Sequence, residues 1–347
     1  MGNSKNVYAS VKSYSQRGKL FIRDDYQTLA ESRNLDELIT RLRNTKYEPV
    51  MADIPKPYTA HGIESVIRGH LASLHYGITK TVGNSPILDA YYMRFIVTNL
   101  KAILKGKVLG KAQEDIESYI NLRAEELVKQ RDVVIKALVA KDLEEAVASL
   151  SSTKFGDDVS RAAAAYSDVG NIQVFDTYFD KIVYQNLSRA LRQSRDRHVI
   201  KIVSPDLDSY NLLSVIRGKF WGLDESTMED LLVPPTQSAP RDLLSKMMAA
   251  GDVRDALNEV SNSKYRHLIP QTENEMDAVA EFERALEREI YTTSIKSFTR
   301  MFSFATIIGI TKLTAYEIRN LAAISFAVEQ GIDHKTVMSK LILPTEA

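Results

Sequence analysis

Residues 99–110 read Asn-Leu-Lys-Ala-Ile-Leu-Lys-Gly-Lys-Val-Leu-Gly. The stretch returns without a gap at residues 211–222 as Asn-Leu-Leu-Ser-Val-Ile-Arg-Gly-Lys-Phe-Trp-Gly, with five of twelve positions identical. A third copy, at residues 320–331, reads Asn-Leu-Ala-Ala-Ile-Ser-Phe-Ala-Val-Glu-Gln-Gly and keeps the Asn, the Leu and the final Gly. The copies lie about 110 residues apart, which is the kind of fixed period that marks an internal repeat.

A second signature precedes each copy and ends on a Lys followed by an aromatic residue. Residues 35–47 read Leu-Asp-Glu-Leu-Ile-Thr-Arg-Leu-Arg-Asn-Thr-Lys-Tyr, and residues 143–155 read Leu-Glu-Glu-Ala-Val-Ala-Ser-Leu-Ser-Ser-Thr-Lys-Phe. Residues 253–265 read Val-Arg-Asp-Ala-Leu-Asn-Glu-Val-Ser-Asn-Ser-Lys-Tyr. Two signatures that recur three times in the same order predict a chain built from three similar units.

Both signatures have the apolar spacing of helices. In the first copy, Ile96, Leu100 and Leu104 recur at four-residue steps and so share one helical face. The Gly that closes each copy stands where a left-handed C-terminal cap is expected. Asn34 is a predicted N-cap of the other signature, with Glu37 completing a capping pattern. We therefore predict an all-α fold with three similar helical units in approximate threefold symmetry.

The segments between the signatures also favour helices. Apolar spacing predicts longer helices at residues 116–139, 178–195 and 276–290, whereas residues 199–203, Val-Ile-Lys-Ile-Val, are the best short candidate for a strand. Residues 233–240 contain three prolines and form the clearest linker. The three predicted units are residues 1–112, 113–232 and 233–347.

The repeated Asn is the most informative polar position. Asn99, Asn211 and Asn320 each adjoin an apolar helical stripe, and a buried amide must find hydrogen-bond partners. Two interpretations follow: a structural pairing with the backbone of a neighbouring helix, or contact with a ligand. We favour the structural pairing, because catalytic residues are seldom triplicated together with everything around them.

Composition excludes several classes of protein. The chain has 347 residues with 45 basic and 45 acidic side chains, so its net charge is zero and no nucleic-acid partner is predicted. The absence of cysteine excludes disulfides, thiolate metal sites and a Cys nucleophile. No apolar run is long enough to predict a membrane-spanning helix, and residues 1–23 lack the apolar core of a signal peptide.

Residues 106–111, Gly-Lys-Val-Leu-Gly-Lys, superficially resemble a phosphate-binding loop. They place three rather than four residues between the glycines, and Ala112 stands where a Ser or Thr would hold magnesium. The six histidines form no His-Glu-x-x-His motif, and no Gly-x-Ser-x-Gly nucleophile motif is present. We therefore predict no enzymatic activity, no cofactor, no metal site and no tight ATP binding.

Taken together, the ordered signatures resemble the C subunit of the archaeal A-type ATP synthase, in the family that includes the d subunit of the V-type ATPase. Residues 316–321, Tyr-Glu-Ile-Arg-Asn-Leu, resemble the Glu-x-x-Asn-Leu element of that family near its C-terminus. The copies also differ from one another. Ile96 stands where Asp208 and Glu317 stand in the later copies, and Phe326 replaces a basic residue of the earlier ones.

The resemblance implies a non-catalytic rotor part. Three helical domains of this family form a funnel-like socket that sits on the proteolipid rotor ring and receives the D and F subunits of the central stalk. Torque passes through the socket between ATP synthesis and proton or sodium transport. The a/I subunit of the membrane stator is a further candidate contact. Membrane association would occur through the ring only, at the cytoplasmic face of the cell membrane, and no cofactor is implied.

Candidate partner contacts lie in the last turn of the first two repeat helices. They are Lys105, Lys107, Arg217 and Lys219, cations that oppose the helix dipole and could meet acidic partner loops. A second basic edge, Arg189, Arg192, Arg195 and Arg197, is either a solvated helix face, which we favour, or an acidic partner's docking surface. The alternative to a rotor part is a generic α-helical repeat scaffold that binds another protein, and an enzyme ranks third.

Overall fold

The computed structural model describes residues 2–52 and 54–344 of the chain. The described residues are 75% helical and contain no strand. The all-α prediction is therefore confirmed.

The helices follow one another with short connections. The first six are α1 (Gly2–Arg17), α2 (Arg23–Ala30), α3 (Leu35–Arg43), α4 (Glu48–Met51), α5 (Ala60–Val82) and α6 (Pro86–Val108). The next seven are α7 (Gln113–Ser118), α8 (Arg123–Leu127), α9 (Arg131–Val139), α10 (Leu143–Leu150), α11 (Gly156–Val169), α12 (Val174–Gln193) and α13 (Arg197–Phe220). The others are α14 (Glu225–Leu231), α15 (Arg241–Ala249), α16 (Val253–Glu259), α17 (Glu275–Lys296), α18 (Phe304–Glu329) and α19 (His334–Lys340). Short 3-10 helices lie at Val260–Asn262, Arg266–Leu268 and Ser297–Thr299.

Three pairs of long consecutive helices form the frame: α5 with α6, α12 with α13, and α17 with α18. The second helix of each pair carries one copy of the Asn-Leu stretch, and we call α6, α13 and α18 the repeat helices. The first helix of each pair packs most extensively against the repeat helix of another pair: α12 against α6, α17 against α13, and α5 against α18. The three pairs therefore interlock in a closed cycle.

The signature helices α3, α10 and α16 follow the same cyclic order. Helix α3 lies against α18, α10 against α6, and α16 against α13. One apolar core consequently combines buried residues between 21 and 71 with residues between 318 and 341. The start of the chain is thus held by its last repeat helix. The unit boundaries stay a prediction from the repeats, and apolar cores join residues on both sides of them.

The repeated Asn makes the same two hydrogen bonds in every copy. Nδ2 of Asn99 donates to the backbone oxygen of Asn121 at 2.8 Å, and its Oδ1 accepts from the backbone nitrogen of Asn121 at 3.2 Å. The corresponding pairs are Asn211 with Val233, at 3.0 and 3.0 Å, and Asn320 with Ile342, at 2.8 and 3.2 Å. The partner always lies 22 residues downstream and belongs to an irregular segment, not to the helix that we expected.

The closing tyrosines of the first and third signatures each donate a hydrogen bond to the repeat helix of the preceding unit in the cycle. The hydroxyl of Tyr47 donates to Oε1 of Glu317 at 2.6 Å, and the hydroxyl of Tyr265 donates to the Asp208 carboxylate. Both rings and both acids are buried, and an acceptor satisfies each phenol. The second signature ends on Phe155, which needs no acceptor. Because Phe155 has no hydroxyl, the equivalent position in α6 needs no acid and is occupied by the apolar Ile96.

Glycines in the repeat helices serve two purposes. Gly110, Gly222 and Gly331 have φ of 61°, 69° and 66°, which confirms the predicted left-handed caps. Gly106 and Gly218 lie inside the last turn, where a Cβ would come within 2.5 Å of Ile116 and 2.6 Å of Met228. These two glycines therefore allow the following short helices α7 and α14 to pack closely.

Two predicted elements were wrong. Residues 116–139 form no single helix but the shorter helices α7, α8 and α9, because the backbone groups of Asn121 bond to the Asn99 side chain instead of to a helical ladder. Residues 199–203 belong to α13 and form no strand. Oδ1 of Asp196 accepts from the backbone nitrogen of His198 at 2.8 Å and starts that helix.

The other predicted elements agree with the structure. Helix α12 covers most of residues 178–195, α17 covers residues 276–290, and most of residues 233–240 are irregular. The side chain of Asn34 accepts from the backbone nitrogen of Glu37, so the predicted N-cap is confirmed.

Replacement of Asn211 by Ala should lower the free energy of unfolding by about 2–4 kcal/mol, because both buried backbone groups of Val233 lose their partner. The same change at Asn320 should have an effect of similar size, since its bonds are equivalent. Urea denaturation followed by circular dichroism measures both values. The matched control is Asn84→Ala in the exposed α5–α6 turn, and equal stabilities of control and Asn211→Ala would contradict the structural role.

Candidate functional site

Two adjoining cavities lie where the repeat helices approach one another. The first, of about 620 Å³, is lined mainly by α5, α6, α7 and α18. The second, of about 440 Å³, is lined by α6, α12, α13, α17 and α18. Arg94, Thr98, Lys312, Ala315 and Arg319 line both cavities and form the boundary between them. Both volumes lie in the range typical of ligand or partner pockets.

The second cavity is polar, and each acid that lines it has a cationic partner. The pairs are Asp180 with Lys101 at 2.8 Å, Asp206 with Lys312 at 2.6 Å, Glu283 with Arg217 at 2.7 Å, and Glu287 with Arg319. Within each pair the opposite charges neutralise each other, and each pair joins two neighbouring helices. Each of these four acids is therefore already engaged in an ion pair.

The pair at the centre is buried. Lys312, only 4% exposed, donates from Nζ to Oδ2 of Asp206 at 2.6 Å and to the backbone oxygen of Ile202 at 2.8 Å. The hydroxyl of Tyr91 donates to the same Oδ2 at 2.9 Å. Burial lowers the pKa of Lys312, while the Asp206 carboxylate beside it favours the charged form. This cluster ties α6, α13 and α18 together through one carboxylate.

Arg94 lies beside this cluster without joining it. Its Nη2 is 4.0 Å from Oδ1 of Asp206, which is too long for a hydrogen bond. Nη2 is buried and has no hydrogen-bond partner among the described residues. The guanidinium carbon lies 4.9 Å from the ring centre of Tyr91 and 5.4 Å from that of Tyr184, so aromatic faces hold the group in place.

His75 lines the first cavity from the side of α5. Its Nε2 lies 2.9 Å from the backbone oxygen of Thr311, an acceptor, so Nε2 carries the proton in the neutral ring. Burial lowers the pKa of His75 to about 4. Nδ1 is therefore a lone-pair acceptor, and it has no partner in the described part of the chain.

The four predicted contact residues are mostly engaged within the chain. Lys105 pairs with Asp176, Lys107 donates to the backbone oxygen of Ala140, and Arg217 pairs with Glu283. Lys219 alone of the four has a side chain without an ion pair or hydrogen bond to a described residue, and the residue is half-buried. Lys105 lines the first cavity and Arg217 the second, so the structure does not bring the four together.

Comparison with known proteins decides the family. The sequence model of the ATP synthase (C/AC39) subunit matches residues 9–340. The chain belongs to the ATP synthase (C/AC39) subunit family. It is 23% identical to the A-type ATP synthase C subunit of Methanocaldococcus jannaschii, over 97% of this chain and 86% of the relative. The corresponding protein of Haloferax volcanii is 21% identical over 99% of both chains, and that of Methanobrevibacter smithii is 26% identical over 96% and 86%.

Members of the C/AC39 family are accessory subunits of the ATP synthase and not its catalytic ones. In this family member, no three His, Asp or Glu side chains of residues 2–52 and 54–344 cluster closely enough to hold a metal ion. No helix of the same residues is both long and apolar enough to cross a membrane. Gly106 and Gly110 lie at the C-terminal end of α6. The glycines of a phosphate-binding loop instead lie between a strand and the start of a helix.

Sequence reasoning missed the central residues of this C/AC39 protein. Arg94 and Asp206 lie at the same offset, five residues before the repeated Asn, and Ala315 lies there in the third copy. Aligning the three copies beyond their shared core would have exposed a cation, an acid and a methyl group at one position. Lys312 and Tyr91 likewise share an offset of eight residues before the Asn.

The stability of this C/AC39 protein should fall as the pH decreases from about 6.5 to about 4. Between these values an unfolded His75 binds a proton that the folded one, with its pKa of about 4, does not, so protons favour the unfolded chain by up to about 3 kcal/mol. His75→Gln keeps a donor for Thr311 and should flatten this part of the profile, measured by urea denaturation at each pH. His267→Gln, at an exposed histidine, is the control, and an unchanged profile in His75→Gln would refute the assignment.

Proposed function

We propose that this chain is a non-catalytic central-stalk subunit of a rotary A/V-type ATP synthase. It links the central shaft to the proteolipid rotor ring and transmits torque for ATP synthesis coupled to proton or sodium transport. The observation that carries the proposal is the cyclic interlocking of three helix pairs around two central cavities, in a chain of the C/AC39 family.

The closed cycle supports a funnel-like socket with approximate threefold symmetry. Each repeat helix contacts a helix of another pair, so torque applied to one pair is passed directly to the next. The buried contacts between Lys312, Asp206 and Tyr91 join all three repeat helices at one point. A part that must hold a shaft without slipping requires such rigid connections.

The proposed partners are the D and F subunits of the central stalk, the proteolipid ring and, as a further contact, the a/I subunit of the membrane stator. The chain would sit peripherally at the cytoplasmic face of the cell membrane, associated through the ring. Leu109 and Trp221, just before the closing Gly of two copies, are 61% and 64% exposed. Exposed apolar residues beside Lys107 and Lys219 have the composition of a protein interface, where aromatic anchors contribute much of the binding energy.

Removal of this chain should leave the ATPase head catalytically active but detached from the membrane sector. ATP hydrolysis by the soluble fraction and ATP-driven ion uptake by membrane vesicles measure the two parts. Re-expression of the intact chain serves as the control and should restore uptake. Membranes without the chain that retain full ATP-driven uptake would refute the coupling role, whereas co-purification with unrelated proteins alone would favour a generic helical scaffold.

Lys219→Glu should weaken docking to the rotor partners, and more strongly at low salt than at high salt, because charges in contact with solvent are screened. Lys219 is preferred to reversal of all four predicted contacts, since Lys105 and Arg217 hold internal ion pairs. Lys201→Glu, an exposed position near the other end of α13, is the matched control. Binding measured by surface plasmon resonance at two salt concentrations tests the contact, and equal affinities of both variants would exclude it.

A further inference from the structure

We infer that the first cavity is a binding site for a carboxylate carried on an apolar stem, with Arg94 as its receptor. The site is a property of the isolated chain. The inference rests on the proposed function only for the source of the carboxylate, which we assign to a segment of the central stalk that enters the cavity.

The charges around Arg94 are not balanced. Asp206 accepts hydrogen bonds from Lys312 and Tyr91 through Oδ2, and its Oδ1 remains 4.0 Å from Nη2 of Arg94. The other acids of the second cavity are paired with cations of their own. In the first cavity, Glu64 pairs with Arg68 at 3.0 Å. One positive charge at Arg94 is consequently left without a matching anion among the described residues.

The hydrogen bonds of the Arg94 guanidinium are incomplete. Nη2 has no partner among the described residues but is itself shielded from solvent, so a ligand oxygen in the cavity would bond to the accessible N–H groups of the same guanidinium and place its negative charge beside Nη2. The whole side chain is 39% exposed and lines both cavities. A carboxylate matches the planar donor fork of arginine, often with two parallel hydrogen bonds.

The apolar walls of the first cavity indicate that the carboxylate is attached to an apolar group. Leu71, Ala72, Phe95, Ala315 and Ile318 line the first cavity around Arg94. A volume of about 620 Å³ admits several methylene groups or an apolar side chain beside the charged head. Lys111 also lines the cavity without an ion pair to a described residue, but it lies beyond the C-terminal end of α6. Because Arg94 alone carries the unmatched charge beside Asp206, a monoanion balances that charge better than a phosphate dianion.

Hexanoate and its uncharged analogue hexanamide test the site in the isolated full-length chain. Hexanoate should raise the melting temperature in a concentration-dependent manner, and hexanamide should raise it at least several-fold less at equal concentration. Arg94→Gln should weaken hexanoate binding at least tenfold by isothermal calorimetry. Arg68→Gln, at a cation in the same cavity with its own acid, is the matched control and should bind hexanoate within about twofold of the unmodified chain.

Equal stabilisation by hexanamide, or unchanged hexanoate binding in Arg94→Gln, would overturn the inference. If Arg94→Gln does not fold, a crystal structure of the unmodified chain with hexanoate decides the matter. A carboxylate oxygen within about 3.2 Å of the Arg94 guanidinium supports the site, and its absence refutes it.

Competition separates the source of the carboxylate from the site itself. Hexanoate should weaken binding of the central-stalk D and F subunits to the unmodified chain, and Arg94→Gln should weaken it similarly. Stalk binding that is indifferent to both changes would refute the assigned source and indicate a free carboxylate. Failure of the stalk to bind the unmodified chain, with hexanoate binding intact, would refute the proposed function and leave the site standing.

Discussion

The fold depends on a buried amide that must be satisfied. In each repeat helix one Asn donates to and accepts from the backbone of a residue 22 positions downstream. The two bonds fix the irregular segment after each repeat helix, where no helical ladder can take up its backbone groups. The same constraint acts three times, which explains why Asn persists while the residues around it differ among the copies.

The second constraint is that no unit is complete without a neighbour. Tyr47 of the first signature bonds to Glu317 of the last repeat helix, and Tyr265 bonds to Asp208 of the second. Phe155 and Ile96 keep this position apolar in the remaining case. The acid and the hydroxyl thus occur together in two copies and are both absent from the third, so each buried phenol hydroxyl has an acceptor. Cyclic interlocking joins the two ends of the chain in one core.

Differences among the copies, more than their similarity, shape the centre of the molecule. At one offset the three copies carry Arg94, Asp206 and Ala315, so the equivalent positions supply a cation, an anion and a small apolar wall. Lys312 pairs with the Asp206 carboxylate, and the Arg94 guanidinium is left without an anion of its own beside the cavities. The site is therefore asymmetric, although the helices around it pack in a repeated order.

The sequence by itself determined the helical class, the triplication, the glycine caps and the structural nature of the repeated Asn, because periodicity and capping act over a few residues. It did not reveal that residues 116–139 break at Asn121, since the cause is a hydrogen bond from Asn99 on another helix. Nor did it show that Lys105 and Arg217 are paired internally or that Arg94 stands unpaired. Those outcomes depend on which helices become neighbours, and only the tertiary packing decides that.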